Sequence, residues 1–210
     1  MAGQKKGKFI VIEGIDGAGT ESISKYLISY LRKKNRRCVR LSYPDYNGPI
    51  GRLIHRYLHE KYDFPVSMQF LLYFSDFVKD IDKISRLKKE GNIVISDRYF
   101  TSTLAYQGVR GFPLRKSLKL AEIFRVPKPD LVIYLEIPPA LSIKRKHQEK
   151  KILDRNEKNK QLLFEVGKFY NQLIKKEIFG RWRKVNGEKS IKEVSQDCIK
   201  FINKELKLNL

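Results

Sequence analysis

Three short runs of apolar residues constrain this chain more than any other feature: Phe9-Ile10-Val11-Ile12, Ile93-Val94-Ile95 and Leu131-Val132-Ile133-Tyr134-Leu135. Each is short, rich in β-branched side chains and without polar alternation, so each reads as a strand covered on both faces. Cys38 to Tyr43 adds a strand stopped by Pro44 and the turn Asn47-Gly48-Pro49, and a last short strand falls near Arg183 to Val185. Between the strands lie helical patterns. The first starts at about Thr20, carries Ile23, Tyr26, Leu27, Tyr30 and Leu31 on one stripe, and closes in the basic cluster Arg32 to Arg37. Others cover roughly Ile50 to His59, a long Ser67 to Glu90, Leu114 to Phe124, Ala140 to His147, Glu157 to Ile178 and Ile191 to Leu206. Buried strands alternating with helices predict an α/β domain: a parallel sheet of about five strands with helices on both faces.

A chain of 210 residues with 41% hydrophobic content suits one such domain, spanning residues 1–210, with a real core. Sheets of this kind bind ligands beyond the C-terminal ends of their strands. The polar motifs at Gly14, Tyr43, Asp97 and Glu136 all follow strands, so they are expected to converge on one cleft. The net charge of +21 points to anionic company, either nucleotide phosphates, nucleic acid or acidic surfaces. The basic residues are spread through the chain and interleaved with acids, as on solvated helix faces. Cys38 and Cys198 are too few and too far apart for a disulfide framework or metal site. The opening Met1 to Lys6 has no apolar core of a signal peptide, and no stretch approaches a membrane span. A soluble, cytoplasmic protein is expected.

Gly14-Ile15-Asp16-Gly17-Ala18-Gly19 lies between a strand and a helix, the context of a phosphate-binding P-loop. Glycines there let backbone N–H groups turn inward around a phosphate, and the helix that follows adds its positive end. A P-loop continues with Lys and Ser/Thr, but this chain continues with Thr20 and Glu21, and Ser22 follows one place late. Thr20 donates one hydrogen bond without charge, Glu21 repels phosphate unless a metal lies between them, and Ser22 can still meet a phosphate from the first helical turn.

Asp97-Arg98-Tyr99-Phe100-Thr101-Ser102-Thr103-Leu104-Ala105-Tyr106-Gln107-Gly108 resembles the D-R-[YFH]-x-x-S-x-x-A-Y-Q segment of thymidylate kinases. Ile12 to Gly19 is similar to that family's opening motif, Pro127 to Leu135 to its P-x-P-D-L strand, and Asp154-Arg155-Asn156-Glu157 to its D-R-x-E lid end. The resemblance runs nearly end to end and implies a P-loop NTPase-type fold with a lid at about residues 144–157. It implies transfer of the γ-phosphoryl group of ATP to dTMP, with Mg²⁺, giving dTDP and ADP. Position by position, Gly14 to Ser22 would hold the donor phosphates, and Asp16 would approach the acceptor's sugar hydroxyl. Arg98 would bind the acceptor phosphate, with Asp97, and Glu21 beside it, near the metal. Tyr43, Tyr46, Tyr73, Phe77, Ser102, Tyr106 and Gln107 would surround the monophosphate, with Tyr73 stacking on the base. Because Gly17 stands inside the loop, the lid would supply catalytic charge, with Arg145 and Arg155 as candidates. The resemblance also implies a homodimer.

The chain departs from the family pattern in three places. Thr20-Glu21 replaces the Lys-hydroxyl pair, Tyr46 stands where a phosphate-binding arginine is common, and Phe77 stands where an arginine reads the thymine ring. These departures leave an alternative, a pseudokinase that binds nucleotide or a partner without turnover. A nucleic-acid-binding role rests on net charge alone, and no helix-turn-helix, zinc or RNP-like motif supports it.

Overall fold

The computed structural model describes residues 7–149 and 152–208. In chain order the elements are β1 (Lys8–Gly14), α1 (Thr20–Lys33), β2 (Cys38–Ser42), α2 (Pro49–Leu58), α3 (Val66–Val78), α4 (Ile81–Lys89), β3 (Ile93–Asp97) and α5 (Phe100–Val109). They continue with α6 (Leu114–Ile123), β4 (Leu131–Glu136), α7 (Pro139–Glu149), α8 (Lys160–Lys175), β5 (Trp182–Asn186) and α9 (Ile191–Leu206). The five strands form one sheet in the order β2-β3-β1-β4-β5, and every neighbouring pair is parallel.

The three apolar runs are the three inner strands, and their side chains are almost all fully buried. β2 and β5 lie at the edges, where one side of the strand has no neighbour. Cys38, at the start of β2, is only half-buried for that reason. α1 packs with α9, while α5 packs with α3 and α8. Helices therefore surround the sheet, as expected of a P-loop NTPase-type α/β fold.

Two elements differ from the sequence reading. The single long helix expected over Ser67 to Glu90 is two helices, α3 and α4, parted at Lys79-Asp80. The Tyr43 hydroxyl donates to Asp80 Oδ2 at 3.0 Å, and Lys79 Nζ lies near Asp76, Asp80 and Asp45 at 3.0, 3.3 and 3.5 Å. These bonds clasp the chain to the loop after β2 and turn it there. The other difference is α5, which the apolar period does not announce. Seven of its residues, polar and apolar alike, are buried, so it lacks the one-sided stripe by which a surface helix is recognised.

Helix ends follow local chemistry. Asn159 accepts from Leu162 N to start α8, and Ser190 with Glu193 forms a capping box on α9. Lys150 and Lys151, in the expected lid, lie outside the described residues, as does the Met1–Lys6 opening. Among the described residues, no helix is long and apolar enough to cross a membrane.

Candidate functional site

Parallel pairing brings the strand ends to one edge: Ile12 and Ser42 both stand in register with Asp97, and Gly14 with Leu135. The loop from Gly14 to α1 is built on two left-handed residues, Gly17 at φ 77° and Gly19 at φ 91°. A Cβ on Gly17 would fall 2.7 Å from the Ser142 carbonyl oxygen, so α7 comes as close to the loop as a glycine permits. The Ser142 hydroxyl donates to the Asp16 carbonyl, fastening α7 to the loop.

Arg98 is also left-handed, at φ 61°, which turns its side chain from the end of β3 into the loop. Its guanidinium donates to Gly14 O at 2.9 Å, Asp16 Oδ1 at 2.7 Å and Ser102 Oγ at 3.3 Å. Tyr106 closes the group: its hydroxyl donates to Asp16 Oδ2 at 3.0 Å and accepts from Asp16 N at 3.2 Å. Beneath this lies Glu13, fully buried, accepting from Tyr99 N, Thr101 Oγ1, Ser102 Oγ and Tyr170 OH at 3.1, 2.6, 2.6 and 2.7 Å. Burial pushes its carboxyl up, while Arg98 and the hydroxyl donors act in the opposite direction.

These groups open into a cleft of about 600 Å³. On the loop side Asp16, Gly17, Gly19, Thr20, Glu21 and Ser22 line it, whereas Gly14, Ile15 and Ala18 stand behind the wall. Glu21 is exposed and pairs with Lys25 at 2.6 Å, a bond that holds its carboxyl below the usual range. On the opposite side Tyr43, Tyr46, Tyr73 and Phe77 line the cleft, together with Ser102, Tyr106 and Gln107. Phe77 is 1% exposed and packs edge-on to Tyr43 and Phe74, so it acts as wall. Gln107 is 2% exposed, and its Oε1 has no hydrogen-bond partner among the described residues. A buried amide oxygen without a partner, on a residue that lines a cleft, is a candidate acceptor for a ligand N–H.

Three expected residues are elsewhere. Arg145 donates to the carbonyls of Gly187 and Glu188 at 3.0 and 3.4 Å. Arg155 binds Asp63 Oδ1 at 2.7 Å and Tyr62 O at 3.0 Å and stacks over the Tyr57 ring. Glu136, expected in the cleft as the polar end of β4, pairs with Lys184 on edge strand β5 at 2.9 Å and is not part of the lining.

Among the described lid residues, the cation that lines the cleft is Lys146. It lies four residues after Ser142 on α7, hence on the helical face that is fastened to the loop. Burial works against its charge, but Glu149 at 2.6 Å and Glu157 at 3.6 Å outweigh it and hold the ammonium above its usual range. The sequence places Arg145 and Lys146 side by side on α7, and the Ser142 contact with the loop, which the sequence does not show, turns Lys146 toward the cleft. Thr103, His55, His59 and Asn156 also line the cleft and were not anticipated.

The described residues hold no group of three or more His, Cys, Asp or Glu side chains arranged for a metal. Mg²⁺ in a nucleotide site takes one or two carboxylates and otherwise phosphates and water. Asp97 fits such a role: it lines the cleft, and its Oδ2 already accepts from Arg40 at 2.7 Å, which leaves Oδ1 outside that pair. Glu21 fits less well while bound to Lys25.

Comparison with known proteins gives one answer. A family model described as thymidylate kinase matches residues 12–198. A probable thymidylate kinase of Thermococcus onnurineus is 34% identical, covering 94% of this chain and 98% of its own. One from Pyrococcus horikoshii is 32% identical over 96% of this chain and 98% of its own. The thymidylate kinase of Plasmodium falciparum is 28% identical over 96% of this chain and 92% of its own.

Proposed function

Because the chain belongs to the thymidylate kinase family, we propose that its cleft transfers the γ-phosphoryl group of ATP to dTMP, releasing ADP and dTDP. The observation that carries this reading is the Arg98 guanidinium, bound at once to the phosphate loop at Gly14 O and to Asp16. It stands where an acceptor phosphate would meet a donor held by the loop. The pseudokinase alternative finds no support in the comparisons, since the relatives they name are kinases.

The geometry supports the following roles. Gly17, Gly19 and the first turn of α1 offer N–H groups to the donor phosphates. Arg98, a planar fork of donors, suits the acceptor phosphate. Asp16, held by Arg98 and Tyr106, is placed to orient the sugar. Tyr73 offers an aromatic face to the base, and Gln107 Oε1 can accept from a pyrimidine N–H. Lys146 offers positive charge above the loop mouth for the phosphoryl group in flight. Mg²⁺, when bound beside Asp97, would shield the β- and γ-phosphate charge. In this reading the protein's contribution is positioning and charge neutralisation.

The protein is proposed to act as a homodimer in the cytoplasm. The exposed apolar pair Met68 and Leu71 on α3 supports self-association, and the two free cysteines suit a reducing compartment. Light scattering would read about twice 24.7 kDa for the dimer.

A coupled ADP-release assay with ATP, Mg²⁺ and a panel of nucleoside monophosphates tests the function. The expected result is turnover with dTMP above dCMP, UMP, AMP and GMP. Absence of turnover with every acceptor, or a clear preference for a purine, would overturn the reading.

A further inference from the structure

Without a lysine at Thr20, the loop itself contributes no cation, and Asp16, Glu21 and Asp97 are among the carboxylates that line the cleft. Arg98 is committed to Asp16. Lys146, which lines the cleft, is paired with Glu149 and Glu157, so a polyphosphate needs further positive charge, and the fold contains a candidate behind the wall.

Arg40 sits mid-strand in β2, between Val39 and Leu41, in register with Ile95. Its side chain runs two residues along the sheet toward the strand ends and is held at two points. Nε donates to Ser24 Oγ at 2.8 Å, and a terminal nitrogen donates to Asp97 Oδ2 at 2.7 Å. Ser24 is itself fixed, donating to Glu21 O at 2.8 Å. Ser24 lies four residues after Thr20 on α1, so both occupy one helical face, and both are buried. The guanidinium therefore stands one helical turn behind the position of the missing lysine, on the same face, and its field reaches Glu21. With the pair 24% and 8% exposed, it is shielded enough for its charge to matter locally.

We propose that Arg40 is a positioning residue that carries the positive charge the phosphate loop lacks at Thr20, neutralising Asp97 from behind so that the donor end of the cleft tolerates a polyphosphate. This rests on reading the cleft as a nucleotide site, and it adds to that reading the residue by which this chain compensates for Thr20-Glu21. A purely structural ion pair would stabilise the fold without influencing nucleotide affinity.

The test is a charge series read by calorimetry with ADP, with and without Mg²⁺, on protein whose folding is checked by thermal melting. Relative to wild type, Arg40→Gln leaves Asp97 unpaired and should weaken Mg²⁺-free ADP binding by about tenfold, whereas Asp97→Asn leaves Arg40 unpaired and should tighten it several-fold. Thr20→Lys placed in the Arg40→Gln background should restore affinity to within about threefold of wild type, but should add little to the wild type itself. Both effects should shrink at high salt. If Arg40→Gln is too unstable to assay, the Asp97→Asn arm decides the matter alone. Unchanged ADP affinity in the folded charge variants, or a Thr20→Lys gain that is equal in both backgrounds, overturns the proposal. An intact charge series in a protein that phosphorylates no monophosphate would overturn the function instead, and a wild type that binds no ADP would overturn both.

Discussion

Gly17 and Gly19 have nearly the same backbone conformation but different surroundings, so substituting each by alanine separates strain from crowding. Both have positive φ, at 77° and 91°. Holding alanine there costs about 1–2 kcal/mol, partly offset by the smaller entropy of its unfolded chain. At Gly19 nothing lies within 4 Å of the added Cβ, so Gly19→Ala should cost about 1 kcal/mol. At Gly17 the Cβ meets Ser142 O at 2.7 Å and its C and Cα at 3.2 Å, all backbone atoms that no rotamer can move. Forcing them apart adds about 1–3 kcal/mol of overpacking and lifts α7 from the loop. In a chain of this size each 1 kcal/mol lowers Tm by about 2–4 °C. Melting without nucleotide should therefore show Gly19→Ala down by about 2–4 °C and Gly17→Ala lower again by at least about 2 °C. Adding Ser142→Ala to Gly17→Ala should not relieve the loss, because the collision is with backbone. Equal losses at the two glycines, or the reverse order, would refute the claim that α7 is fastened onto the loop.

Lys146→Ala should lower kcat by about 10²–10³, the usual loss for one preorganised charge-stabilising donor. Arg145→Ala and Arg155→Ala, whose guanidiniums are engaged elsewhere, should each cost less than about tenfold; steady-state kinetics would show the order. Tyr106→Phe removes the hydroxyl that both donates to and accepts from Asp16. It should raise KM for dTMP by roughly tenfold with a smaller change in kcat. The buried Cys198 thiol is pushed by desolvation from 9.0 up to about 12. The folded state then holds this proton where the unfolded state releases it, so the contribution is present below pH 9 and is lost as pH rises from 9 to about 12. Cys198→Ala should flatten that part of the stability profile in urea titrations.

The inner strands were legible because burial on both faces leaves an uninterrupted apolar signature, and the motifs at Gly14 and Asp97 were legible because each follows such a strand. Amphipathic helices such as α1 and α9 announced themselves by their stripes. α5 did not, since a helix buried almost all round has no stripe, and the break between α3 and α4 depends on Tyr43 and Asp80, thirty-seven residues apart. The site shows the same division. Asp16 and Arg98 meet because they follow β1 and β3, which are parallel neighbours, and α5 brings Tyr106 to them. Side-chain direction was not readable: Arg145 and Lys146 are consecutive on α7, and only the docking of Ser142 decides which of the two faces the loop.

The two phosphate ends of the cleft are held by unequal amounts of structure. Arg98 sits in a left-handed conformation that costs about 1–3 kcal/mol for a residue with a Cβ, so something must hold it there. Its N–H donates to Ile12 O, its guanidinium to Gly14, Asp16 and Ser102, and Ser102 in turn to Glu13. Glu13 also draws Tyr99, Thr101 and Tyr170 toward it, and so ties β1 to the start of α5 and to α8. A buried acid and a strained arginine are each unfavourable alone, yet each offsets the other's cost. Among the described residues the donor end shows no such hub: it relies on α7 touching the loop through Ser142 and on Arg40 standing behind Asp97. Damage to Glu13 should therefore lower stability and monophosphate affinity together. Damage to Ser142 should weaken ATP binding in a protein that still melts near the wild-type temperature.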